Sequence, residues 1–416
     1  MSNPLPVLKL DQRTYDRALS CVHCGLCLAA CPTYLQTRHE ADSPRGRIQL
    51  IRGLADGAVQ PTPSVRQHLD LCLDCRACET ACPSNVVYHE LIEAYRIEEA
   101  KTALTPFLQR IYRWLCFNIL VHPARLKLAL LSARLLRLKR LPPGPIWPAP
   151  LAEQTRVVGE KKATVAFFAG CVGSVLFDSV NKKAVDLLAA AGAECCAPPS
   201  QQCCGAIHYH GGSRSPAEEM ARRNIDALMP QSAQGQTGRK IDFIVSTAAG
   251  CGSMLHEYGT LLRDDPNYAA RAAEFSAKVR DVTQVLDELG LSPMKHTVKA
   301  TATYHDACHL AHAQRVTQPP RRLLAAIPGL NLIPLPQSDQ CCGAAGTYFL
   351  TQPEMAQKLA ARKLENIQST GATYVVAGNA GCALHLRSQA QARDQQIKIV
   401  HPVELLHAAV FGSRLE

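Results

Sequence analysis

The sequence predicts an α+β chain in two parts. A small, mainly helical module organised by cysteines is followed by a duplicated α/β unit with parallel strands. Three observations predict this. Two four-cysteine runs lie near the N-terminus, 51 residues apart, and both read C-x2-C-x2-C-x3-C-P. From about residue 163, buried strand-like runs alternate with helical patterns, the texture of α/β units. A second set of cysteines then recurs at a near-constant offset in the two halves of that region.

Length and composition bound what the chain can be. Its 416 residues suit two or three domains, and 47% apolar content allows ordinary cores. Nineteen cysteines are many for this length. The start, Met1 to Leu10, lacks the charged and apolar regions of a secretory signal. A cytosolic location is expected, where thiols stay reduced, so the cysteines are expected to be ligands rather than disulfides. No apolar run approaches the roughly 18 residues of a membrane span. No G-x-G-x-x-G follows a strand, and there is no P-loop or nucleophile elbow. The chain therefore carries no dinucleotide fold or hydrolytic centre of its own.

The first run is Cys21, Cys24, Cys27, Cys31-Pro32, and the second is Cys72, Cys75, Cys78, Cys82-Pro83. Three thiolates at a spacing of three fit one loop around a cubane [4Fe–4S] cluster, and in two-cluster ferredoxins the fourth ligates the other cluster. The expected ligand sets are Cys21, Cys24, Cys27 with Cys82, and Cys72, Cys75, Cys78 with Cys31. Each proline lacks an N–H and turns the chain away from the cluster. Zinc is the rival, but its four-cysteine sites usually split into two separated pairs. Residues 1–102 thus read as a two-cluster ferredoxin-type module, whose folding metal binding should support.

Within it, residues 1–20 suggest a lead-in helix. Ser43-Pro44 offers an N-cap and first helical position before the stripe Ile48, Ile51 and Leu54. Ser64 is the expected cap of a helix entering Cys72. Residues 103–150 follow as a basic amphipathic segment and linker. Between 103 and 141 lie eight Lys or Arg and no acid, most of the net charge of +10. Leu128, Leu131, Leu135 and Leu138 form a stripe, preceded by Phe107, Ile111, Trp114 and Leu115. Two readings stand: peripheral contact with an anionic membrane surface, or a helical hairpin packed on the body or a partner. Nucleic acid is not expected, because recognition motifs are lacking. The Pro-rich run 141–150 marks a boundary.

Expected strands are 164–169, 241–245, 301–305 and 374–377, with helices through 185–192 and 321–327. They divide the rest into repeats 151–295 and 296–416. The first repeat supplies Cys171, Cys203-Cys204-Gly205 and Cys251. The second supplies Cys308, Cys341-Cys342-Gly343 and Cys382. Offsets are 137, 138 and 131 residues. All eight are candidate metal ligands, expected in loops after strand ends, where open α/β sheets bind ligands. The glycines are expected to let the backbone approach a bulky cofactor. His208, His210, His256, His305, His309, His312 and His385 lie near these loops; any one is more often structural than a ligand, and as a set they could handle protons near a quinone. Cys116 reads as a packed thiol, and Cys195 and Cys196 have no counterpart in the second half.

This pattern resembles the cysteine-rich CCG domain of heterodisulfide reductases, which reads C…CCG…C-x-x-C. Here Ala248 and Asn379 replace the first cysteine of the last pair in each repeat. That argues against disulfide-reducing chemistry. Four thiolates per repeat leave an additional iron–sulfur cluster, zinc, or metal-free thiols as open alternatives.

The whole chain is similar to the iron–sulfur subunits of glycolate oxidase (glycolate dehydrogenase). The residues that carry this are Cys21-Val-His-Cys24-Gly25, Pro44-Arg-Gly-Arg47, Gln202-Cys-Cys-Gly-Ala206 with Tyr209-His210, Gly250-Cys-Gly252 with Glu257-Tyr-Gly259, and Cys341 to Tyr348. Iron–sulfur subunits of lactate-utilisation and anaerobic glycerol-3-phosphate dehydrogenases share the architecture. The resemblance implies a subunit with no glycolate catalysis of its own. Partner subunits would oxidise glycolate to glyoxylate at FAD, and this chain would relay electrons to a quinone on the cytoplasmic membrane face.

Overall fold

The computed structural model describes residues 8–102, 107–136, 149–230 and 240–415. Residues 1–7 of the expected lead-in, the basic residues Arg137, Lys139 and Arg140, Leu138, and positions 141–148 of the linker lie outside them.

The N-terminal module is helical. Helix Gln12–Leu19 starts where the Asp11 carboxylate accepts the Thr14 N–H at 2.7 Å. Helix Pro44–Ala55 starts as the sequence implies, with Ser43 Oγ accepting the Gly46 N–H at 3.0 Å. The helix leading to Cys72 spans Pro63–Asp70 and is capped by Thr62, whose hydroxyl accepts the Val65 N–H at 3.3 Å. The expected Ser64 cap is therefore corrected. Proline suits the first helical position, so Pro63 places the cap two residues earlier, at Thr62. Ile48, Ile51 and Leu54 meet Leu69, Leu91, Ile92 and Tyr95 in a small core. Each fully buried aliphatic contributes about 1.5–3 kcal/mol.

The rest is two sheets. The first contains β1 (Gln154–Thr155), β2 (Ala163–Phe168), β3 (Ala193–Cys196), β4 (Phe243–Ser246) and β5 (Val279–Asp281), in the order β1-β3-β2-β4-β5. Only β1 is antiparallel to its neighbour. The second contains β6 (Ala300–His305), β7 (Leu330–Ile333), β8 (Tyr374–Ala377) and β9 (Lys398–Val400), ordered β7-β6-β8-β9 and wholly parallel. Without β1 the two orders are the same, so the duplication extends to topology.

In each sheet the chain reverses direction across the sheet between the two central strands, β2 and β4 or β6 and β8. Their carboxyl ends form the switch point where ligands bind in such folds. The repeats share a core in which Phe167, Val245, Tyr304, Val376 and Val403 are all buried. They also bond directly. The Ala249 N–H donates to the Gly378 carbonyl at 3.2 Å, and the Gly250 N–H to Asn379 Oδ1 at 3.3 Å.

Helices Phe107–Ile119 and Pro123–Leu135 meet at 109°. One side packs on the first repeat: Phe117 lies 4.5 Å from the His208 ring, and Val121 joins that repeat's core. The other side is open. Trp114, Leu128, Leu131 and Leu135 are exposed, so the expected leucine stripe faces outward while Leu126 faces in. No single described helix is long and apolar enough to cross a membrane, although this bent pair passes together by length and composition.

Candidate metal centres

The two ferredoxin-type loops have matching backbones. His23 and Gly25 in the first, and Asp74 and Arg76 in the second, are left-handed, with φ of 56°, 84°, 54° and 61°. Left-handed turns between cysteines aim successive thiols at one point. Cys21, Cys24, Cys27 and Cys82 line one cleft, whereas Cys31, Cys72, Cys75 and Cys78 line a second. Cys78 borders both. The crossed grouping expected from the motif is thus the grouping the fold brings together. An all-thiol donor set around an open cleft fits a thiolate-ligated cubane.

The two clefts differ in environment. Cys24 is exposed and Cys21, Cys27 and Cys82 are half-buried, while Cys31, Cys72 and Cys75 are buried. In the first cleft Cys82 accepts the Val86 N–H at 3.5 Å, and around the second cleft more donors reach the sulfurs. The Asp74 N–H donates to Cys72 at 3.4 Å, the Tyr88 hydroxyl to Cys72 at 3.5 Å, and the buried Arg47 guanidinium reaches Cys31 at 3.9 Å. Burial alone would push the Arg47 pKa down. Cys72, Tyr88, Cys31 and Asp42 outweigh burial and hold it above its ordinary value. Burial pushes the Cys27 thiol up to about 11 and holds Cys75 and Cys78 well above the ordinary thiol range. Metal loading must therefore displace protons from these thiols.

The second loop is pressed against the α/β unit. Leu73, Cys75 and Ala77 pack with Cys308, Cys341 and Tyr348, and the Tyr348 hydroxyl donates to the Leu71 carbonyl at 2.9 Å. A buried ionic network closes the contact. Arg76 donates to Glu257 at 2.6 Å and lies 3.6 Å from Glu93. His210 lies 3.1 Å from Glu93 and 3.3 Å from Asp74. Burial opposes charge on His210, but Asp74 and Glu93 raise its pKa to about 9. Glu257 is held well below the usual carboxylate range, with Arg76 overcoming the effect of burial. Sequence reasoning missed this network as a function of Arg76 and Glu93. Its visible traces were the Glu257-Tyr-Gly259 and Tyr209-His210 motifs.

In the α/β unit the eight cysteines form two groups at the switch points. Cys171 and Cys203 sulfurs are 3.4 Å apart, and Cys308 and Cys341 sulfurs 3.9 Å apart. Cys204 lies beside Cys203 and Cys251, as Cys342 does beside Cys341 and Cys382. One expectation is corrected. Cys251 and Cys382 sit inside the first turns of helices Ala249–His256 and Ala380–Gln391, not in loops, because the helices begin directly after the strand ends. Gly205 and Gly343 adopt φ of 89° and 91° and lie against neighbouring helices. A Cβ there would meet Ala217 Cα at 3.2 Å or the Ala356 carbonyl at 2.7 Å. Of the histidines, His312 bonds Thr80, and His385 approaches the Ala356 carbonyl. Burial pushes His309 down to about 3, helped by the charges of His210 and Arg76. Cys116 is buried as expected, and Cys195 lies in the strand core.

Comparison with known proteins follows the same division. The 4Fe-4S dicluster domain family matches residues 17–86, and the cysteine-rich domain family matches residues 165–256 and 302–387. The chain is 33% identical to the probable glycolate oxidase iron-sulfur subunit of Bacillus subtilis (strain 168), over 93% of each chain. It is 33% identical to the glycolate oxidase iron-sulfur subunit of Escherichia coli (strain K12), over 94% of each. Lactate utilization protein A of Oceanobacillus iheyensis is 29% identical and spans 58% of this chain and 96% of its own. A crystal structure of a hypothetical protein from Helicobacter pylori shares the fold, with a TM-score of 0.58 at 10% identity, covering 97% of this chain and 74% of that one.

Proposed function

Since this chain belongs to the glycolate oxidase iron–sulfur subunit family, we propose that it carries electrons from FAD on partner subunits, which oxidise glycolate to glyoxylate, to a membrane quinone. At the coarser level it is an iron–sulfur electron-transfer subunit. The observation that carries the finer reading is the gradient in exposure between the two thiol clefts. The clusters, when bound, supply one-electron transfer. Cys21, Cys24, Cys27 and Cys82 would hold the outer one, and Cys31, Cys72, Cys75 and Cys78 the inner one. Glycolate relatives span both modules of this chain, which favours glycolate over lactate as the donor of the complex.

The flavoprotein docks where the outer cleft meets solvent. Val22 and Leu26 are 66% and 59% exposed beside the exposed Cys24, with Leu19 also exposed nearby. Apolar side chains clustered this way around a redox centre suit a protein partner. The double substitution Val22→Asp and Leu26→Asp should slow glycolate-driven reduction of this chain at least about tenfold, an effect of 1.4 kcal/mol or more. Iron content should stay the same. Unchanged reduction kinetics would move the docking face elsewhere.

The outward stripe of Leu128, Leu131 and Leu135, with Trp114 on the neighbouring helix, supports peripheral membrane contact. Basic residues alongside it would draw it to anionic lipid. The complex should co-sediment with anionic vesicles, and Leu128→Gln with Leu131→Gln and Leu135→Gln should leave it in the supernatant. Equal sedimentation of the variant would mean that a partner subunit covers this face.

A further inference from the structure

The duplicated cysteine groups differ at one position that bears on what they bind. Three residues before its first cysteine the first repeat has Phe168, and the second repeat has His305. Both end the central strand of their sheets, and both are fully buried.

His305 lies 3.2 Å from the Ser338 carbonyl through Nδ1. A carbonyl only accepts, so Nδ1 carries the proton, and the neutral ring presents the Nε2 lone pair. That lone pair has no hydrogen-bond partner. His305 stands with Cys342 and Cys382 in a group whose ligand atoms, one ring nitrogen and two sulfurs, are all within 4.8 Å of one another. Leaving such an acceptor buried and unpaired is unfavourable, and a backbone carbonyl on the other ring nitrogen is how metal-binding histidines are oriented.

The spacing indicates the kind of ligand. A tetrahedral ion with sulfur at about 2.3 Å and nitrogen at about 2.0–2.1 Å puts its donors roughly 3.5–3.8 Å apart. The 4.8 Å limit on the His305, Cys342 and Cys382 donors admits that scale. A cubane holds its thiolates farther apart. Among the described residues, no three cysteine sulfurs of the ferredoxin-type clefts lie within 4.8 Å of one another.

Surrounding groups complete the site. Asn379 Nδ2 donates to Cys382 Sγ at 3.3 Å, whereas the first repeat has Ala248 at that position. The buried Lys363 ammonium donates to the Ser338 carbonyl at 3.2 Å and feels the charges of Cys342, Cys341 and Cys382. Three thiolates and one divalent ion leave one net negative charge, which Lys363 offsets.

We propose that the second repeat, and not the first, holds a single divalent ion of the zinc class on His305 Nε2, Cys342 and Cys382, with the fourth position supplied by Cys341 or Cys308. Mixed imidazole and thiolate donors in tetrahedral reach suit zinc. The inference rests on the electron-relay reading only in that iron in the N-terminal module is counted separately.

The test uses the full chain purified without oxygen, analysed for zinc, iron and acid-labile sulfide, with X-ray absorption at the zinc edge. The expected result is one zinc beside about eight iron and eight sulfide. The zinc shell should contain sulfur at about 2.3 Å and nitrogen at about 2.0–2.1 Å. His305→Phe, which copies the first repeat, should lose the zinc and keep the iron. Cys251→Ser, in the first repeat, should keep the zinc. About twelve iron and sulfide with no zinc, an all-sulfur zinc shell, or zinc retained in His305→Phe would each overturn the proposal. If His305→Phe does not fold, the wild-type edge spectrum decides alone. A failure of the relay reading would appear instead as missing iron with the zinc result intact.

Discussion

Cys31→Ser should empty the inner cleft and leave the outer one filled, although Cys31 belongs in sequence to the first run. Iron should fall from about eight to about four atoms per chain, and flavoprotein-driven quinone reduction should be lost. Cys82→Ser should do the converse and remove the outer centre. The expectation follows from the clefts themselves, since Cys31 lines the cleft of Cys72, Cys75 and Cys78, and Cys82 lines that of Cys21, Cys24 and Cys27. EPR of the reduced variants distinguishes the two centres, because the inner sulfurs have the Tyr88 hydroxyl and Arg47 guanidinium as donors and the outer Cys82 has the Val86 N–H. If Cys31→Ser lost the centre of its own loop, each run would wrap one cluster alone and the crossed assignment would be wrong.

The second large effect concerns Arg76. Its guanidinium is buried between Glu257 and Glu93, on a backbone that is left-handed without being glycine. Arg76→Met removes the cation and leaves the carboxylates of Glu257, Glu93 and Asp74 buried with less compensation. Breaking a buried pair from one side costs about 3–5 kcal/mol, so the contact between the N-terminal module and the α/β unit should weaken by that order. Anaerobic urea titration, followed through a probe in each module, should show the N-terminal module unfolding at lower urea than in the wild type. Arg76→Met combined with Glu257→Gln should recover part of the loss, because the stranded charge is then removed as well. A wild-type titration curve for Arg76→Met would show that the network is not what joins the modules.

Much of this was legible in the sequence. The spacing of the two cysteine runs, with the crossing known for two-cluster ferredoxins, gave the same cysteine grouping that lines the two clefts. The four expected strands appear within two residues of their positions, since buried parallel strands read as short apolar runs. The strands β3, β5, β7 and β9 were not expected. They are three or four residues long, and β7 has no fully buried residue, so neighbours rather than local pattern define them. The close packing of Gly205 and Gly343 on the helices that follow them was not visible in the local pattern. The ionic network around Arg76 joins residues more than 180 positions apart in the case of Glu257, and no local pattern marks such a pairing. His305 was visible only as one histidine among several. Its free ring nitrogen and the two sulfurs beside it come together only in the fold.

The most direct test of the central claim is an EPR experiment on the anaerobic complex of this chain with its flavoprotein partners. Adding glycolate without quinone should produce the signals of reduced iron–sulfur centres, and quinone should then remove them. This chain alone, given glycolate, should stay oxidised. Glycolate oxidation by the isolated chain, or full glycolate-to-quinone turnover in a complex where both centres have been removed by Cys31→Ser with Cys82→Ser, would contradict the account.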